Sequence, residues 1–66
     1  MDTFERRLQH ARHRLFLCDL FRRERRGAAR EWVARNRPAM AHDCVRRARE
    51  WNQEYRQRAR ALRAVA

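Results

Sequence analysis

The stretch PAMAHDCVRRAREWNQEYRQRARALRA, residues 38–64, decides the fold. Its apolar positions are Ala41, Cys44, Ala48, Trp51, Tyr55 and Leu62, continued at Val65, in an alternating four-three repeat whose only charged member is Arg58. Steps of four and three return a side chain to one face of an α-helix, and a seam kept over so many turns belongs to a helix packed lengthwise on another. Ala41 and Ala48 permit close approach there, while Trp51 and Tyr55 fill wider space and keep a polar edge for a hydrogen bond. Asp43–Arg47 and Glu54–Arg58 are four apart with the acid first, the favourable order, so the rest of the helix reads as a solvated surface.

Immediately upstream, Asn36-Arg37-Pro38 is a break and restart. The residue before a proline is biased away from the helical region, whereas proline itself suits a first turn. Residues 28–35 then read as a short connecting helix with Trp32 and Val33 turned inward and Glu31 four residues before Arg35. Two turns cannot stand alone in water. Before them lies Arg22-Arg23-Glu24-Arg25-Arg26-Gly27, cations followed by the single glycine, the residue best suited to a left-handed helix end. A first helix is therefore expected over about residues 3–26, a short one over 28–35 and a long one over 38–64, all within a single domain spanning 1–66.

The first helix opens on Asp2 and Glu5, spaced as a capping box. Phe4, Leu8, Ala11, Leu15 and Cys18 follow on one stripe, and Phe4, like Trp51, reads as core. From Leu15 to Phe21 the pattern changes, since Leu15, Phe16, Leu17, Cys18, Leu20 and Phe21 point nearly all round the helix. One partner helix cannot cover them all, and a chain of 66 residues has little further material to bury them. A second subunit or a tightly bound partner is expected to cover them, the alternative being that the short helix folds over the far side. The fold expected is all-α, a helical hairpin with a short connecting helix, doubled into a dimeric four-helix arrangement.

Composition agrees with helix. Arg, Ala, Leu, Glu and Gln dominate, and the β-branched residues are only Thr3, Val33, Val45 and Val65. The first residues lack the apolar core of a signal peptide and no run approaches a membrane span, so a cytoplasmic, non-membrane protein is expected. The chain has no lysine, and its 18 basic residues are all arginine, for a formal charge of +10.

Candidate chemistry is thin. His10 and His13 lie one turn apart and His42 is two residues from Cys44, but structural zinc sites use paired ligands, and a gap of two points side chains to different helix faces. Cys18 and Cys44 fall on apolar stripes, where cysteine acts as a small hydrophobe. There is no serine, no glycine-rich phosphate loop and no inward pair of carboxylates. The chain is read as non-catalytic, with no metal, cofactor or small-molecule substrate.

Two binding functions compete. The first is a small regulator that docks on a larger protein and modulates or inhibits it, with Phe16, Leu17, Leu20, Phe21, Trp32 and Tyr55 as partner-binding residues, types enriched at interface hot spots. A rim of arginine favours an acidic partner. The second is DNA or RNA binding through a basic patch of Arg22, Arg23, Arg25, Arg26, Arg56, Arg60 and Arg63. A helix-turn-helix can be drawn across Asn36-Arg37-Pro38, yet the would-be reading helix opens on Ala39, Met40 and Ala41 instead of base-contacting side chains. Ala48, Asn52, Tyr55 and Arg58 loosely resemble the tail of small helical bacterial transcription regulators of the ANR type. That overlap covers about a sixth of the chain, and the spacing from Gly27 to Trp32 is too short for the family, so the chain is not assigned to it. Its small size and lysine-free composition suit a phage or other mobile element. The protein-binding regulator, acting as a homodimer, is the reading preferred.

Overall fold

The computed structural model describes residues 3–65. They form two helices, α1 over Thr3–Ala34 and α2 over Pro38–Val65, and no strand occurs among them. The pair folds back as an antiparallel hairpin, with extents of 51 × 19 × 11 Å. The all-helical hairpin is as expected. Asp2 of the expected capping box lies outside the described residues, while Glu5 stands in the first turn of α1, where the helix dipole favours an acid.

Three expectations are corrected. α1 does not stop at Gly27; it runs through to Ala34, and no separate connecting helix exists over 28–35. Gly27 keeps an ordinary helical conformation, for no glycine has positive φ. Glycine permits a left-handed end without compelling one, and here the strong helix formers on both sides and the burial of Ala29 against α2 carry the helix past it. Val33 faces outward, 66% exposed, because in a continuous helix the inward positions are Ala29 and Trp32. Phe4 is also largely exposed, at 52%, since it stands at the open end of the hairpin, where α2 is finishing.

The break at residues 35–37 is where the sequence places it, and its hydrogen bonds explain its tightness. The Asn36 amide donates to the Val33 carbonyl at 3.0 Å and the Arg37 amide to the Trp32 carbonyl at 2.8 Å. This pair is a Schellman closure, with Asn36 in the left-handed position at φ 59°. Asparagine substitutes for glycine there because its short polar side chain tolerates that region. The Arg37 carbonyl in turn accepts from the Ala41 amide at 3.1 Å, so Arg37 both finishes α1 and caps α2, with Pro38 as the first residue of the second helix.

Among the described residues the buried ones are Cys18, Ala29, Ala41, Cys44 and Ala48, all small. They let the two axes run close along one seam. On α1 that seam follows Leu8, Ala11, Leu15, Cys18, Arg22, Arg25 and Ala29, none of them exposed, in the same four-three steps as α2. Phe21 meets Trp51 with ring centroids 4.9 Å apart and tilted by 41°, a geometry worth roughly 0.5–1.5 kcal/mol beyond burial. Beside it Arg22 lies 3.8 Å over the Tyr55 ring, donates to Asn52 Oδ1 at 2.8 Å, and is held from its own helix by Asp19 at 2.7 Å. These contacts set the register and place Cys18 near Tyr55, hence about 16 Å along the axis from Cys44. Both cysteines are buried free thiols, too far apart to bridge.

A core this small leaves much surface uncovered. The hairpin exposes 5691 Å², whereas a compact monomer of 8.2 kDa exposes about 4,500 Å². Its radius of gyration is 15.3 Å against about 11 Å for a globular chain of this length.

Candidate interaction surface

Each helix carries a second strip diametrically opposite its seam, and the two differ in chemistry. On α2 the strip is His42, Arg46, Arg49, Gln53, Arg56, Arg60 and Arg63, every member exposed and none acidic. Arg46 is tied to Asp43 at 2.6 Å. Arg49, Arg56, Arg60 and Arg63 make no ion pair among the described residues. From Arg46 to Arg63 the row extends about 26 Å at the helical rise. Guanidinium groups along such an edge present forked donors to carboxylates or phosphates.

On α1 the outer strip is Gln9, His13, Phe16, Leu20, Arg23 and Gly27, again all exposed. Phe16 is 61% exposed and Leu20 38%, and the Phe16 ring stacks on His13 at 6.5 Å. Leu17 flanks them, half-buried. The apolar arc continues round the helix through Phe21 to the Trp51 ring. Gly27 adds a bare patch, since a Cβ built there meets nothing within 4 Å.

The expected partner-binding residues therefore divide. Phe16, Leu17 and Leu20 stay together on the outside of α1. Phe21 and Tyr55 are half-buried and engaged across the seam, with Trp51 and with Arg22. Trp32 stands apart near the turn, with the Arg35 guanidinium 5.5 Å from its ring centre. The expected basic residues divide as well. Arg22 points into the seam, Arg23 pairs with Asp19 at 3.3 Å, Arg25 is half-buried and Arg26 exposed, because consecutive residues fan out around a helix. Arg56, Arg60 and Arg63 belong to the α2 row. Its other members, His42, Arg46, Arg49 and Gln53, are absent from the residues expected from sequence, although their four-three spacing opposite the seam was the signal that reveals them.

Other features are modest. At the open end, Phe4, Leu8 and Ala11 face Ala61, Leu62 and Val65 across an apolar cleft of about 350 Å³. Among the described residues no three His, Cys, Asp or Glu side chains gather closely enough to hold a metal ion, and no helix is long and apolar enough to cross a membrane. Compared with protein-family models, curated proteins and solved structures, the chain gives no significant match.

Proposed function

We propose that this protein is a small, non-catalytic regulator that docks on the acidic surface of a larger protein, working as a dimer of hairpins. The observation that carries this reading is the acid-free row of arginines along the outer edge of α2. A folded helix edge already spaces the backbone that carries these arginines, so less chain freedom is lost on binding than from a flexible basic tail. Charge of one sign along the edge also accelerates encounter with an oppositely charged patch.

A second reading, a regulator bound to DNA or RNA, draws on the same row. The antiparallel hairpin supports no helix-turn-helix version of it, since that motif crosses its helices at about 90–120°. What is left is contact with the phosphate backbone, which weakens steeply as salt rises.

The test is affinity capture from nuclease-treated host extract at physiological salt, using the wild-type chain and an Arg49→Glu/Arg56→Glu/Arg60→Glu variant. The proposal expects one acidic protein recovered with the wild type and lost with the variant. Recovery unchanged by the triple reversal would refute docking through this row. A sequence-selective complex of the purified chain with added DNA or RNA, without nuclease and at that salt, would put the second reading in its place.

A further inference from the structure

The geometry points to the occupant of α1's outer face: a second copy of this chain, packed antiparallel about a two-fold axis at the level of Cys18, with Phe16 of each copy on Leu20 of the other. This inference concerns the face opposite the arginine row and does not depend on which partner that row binds.

Three observations carry it. The first is area. The hairpin exposes roughly 1,200 Å² more than a compact chain of its mass, and a stable interface of standard size removes about 800 Å² from each partner. One such interface per chain accounts for most of the surplus.

The second is self-complementarity. A two-fold contact is isologous, so the strip must match itself when reversed. Reversal about position 18 sets Phe16 against Leu20, His13 against Arg23 and Gln9 against Gly27, with each pair of positions adding to 36. Aromatic meets aliphatic at the centre, where Leu17 of each copy also converges. The guanidinium of Arg23 is already held by its own Asp19 at 3.3 Å, which leaves its aliphatic stem to lie beside His13. At the ends the long Gln9 side chain comes over the bare backbone of Gly27. That explains a mid-helix glycine which no turn requires, and beside which a Cβ would find open space in a single hairpin.

The third is charge. A second copy set against α2 would bring two rows of arginine together, whereas a contact through α1 sends them to opposite sides of the assembly. Like-charge contact disfavours the first arrangement.

The experiment is light scattering of nuclease-treated protein at physiological salt. The wild type is expected at twice 8.2 kDa, with Phe16→Glu and Leu20→Glu each halving that mass while far-UV circular dichroism still reports helix. A monomeric wild type, or variants that keep the doubled mass, would overturn the inference. In case the glutamate variants unfold, a photoreactive benzoylphenylalanine placed at Phe16 in an otherwise wild-type chain supplies an independent measurement. Crosslinking to residues 17–23 of a second copy supports the assignment, and crosslinking elsewhere or none refutes it. The triple arginine variant keeps the doubled mass because its substitutions face away from this interface; a monomer there would move the contact to α2 and refute the assignment even if partner docking stands.

Discussion

Asp19 binds two arginines at once, Arg22 at 2.7 Å and Arg23 at 3.3 Å, and through the first it steers a guanidinium across the seam to Asn52 and the Tyr55 ring. The hydrogen bond from Arg22, joined by the positive charges of Arg23 and Arg22, holds its carboxyl below the ordinary aspartate value of 3.8, against the opposing effect of desolvation. A depressed carboxyl binds its proton more weakly in the folded than in the unfolded chain. The stability it contributes is therefore complete above that ordinary value and is lost as pH falls through the lower, folded one. Asp19→Asn is expected to lower the melting temperature at neutral pH and to flatten the decline that the wild type shows under acid. Thermal melts followed by circular dichroism at pH 7 and well below the ordinary aspartate value check this, and parallel acid responses would count against it.

At the scale of the element, Gly27 and Asn36 exchange the parts that composition suggests for them. Gly27 sits in mid-helix with an unobstructed Cβ position. A hairpin on its own would gain about 1 kcal/mol from Gly27→Ala, because glycine loses more backbone freedom on entering a helix than alanine does. For a chain of this size that corresponds to a melting temperature higher by roughly 4–8 °C. In the dimer inferred above the partner's Gln9 lies over this backbone, so thermal melts of Gly27→Ala are expected to show an unchanged or lowered midpoint, and the full rise would count against that packing. The α2 seam was legible in the sequence because a four-three repeat reports only on how a helix meets its neighbour, and the Asn36–Pro38 break because proline constrains its predecessor. The continuation of α1 was not legible, since arginines followed by glycine resemble a helix end and only the packing of Ala29 under α2 shows otherwise. The candidate surface was half legible. Phe16, Leu17 and Leu20 stood out as surplus on a crowded helix, and Arg56, Arg60 and Arg63 stood out in an acid-free tail, while Arg46 and Arg49 were hidden among acids at Asp43 and Glu50 that a helix turns to other faces.

For the molecule as a whole, five small buried side chains among the described residues, the Phe21–Trp51 pair and the contacts of Arg22 with Asn52 and Tyr55 are little to hold 28 residues of α2 on 32 of α1. A chain of this size seldom gains more than about 3–5 kcal/mol from a single core. Association adds to that by mass action, so the melting temperature is expected to rise with protein concentration. Scanning calorimetry over a wide concentration range tests this directly, and a midpoint independent of concentration would indicate a hairpin stable on its own. The formal charge of +10 opposes assembly at low salt, and the rise should be steeper once that charge is screened.

The three-residue turn in which Arg37 serves both helices also fixes an order of events in time. Contacts nearest the turn, around Ala29 and Ala41, close the shortest loops and cost the least chain entropy, and each later contact toward Phe4 and Val65 builds on its predecessor. Loop closure thus favours zipping from the closed end. During synthesis α1 leaves the ribosome first, with its apolar arc bare, and nothing can cover its seam until the residues after Pro38 have emerged. In that interval the growing chain is most exposed to wrong partners, and Asn36, by reversing the chain within three residues, keeps the interval as short as the connectivity allows.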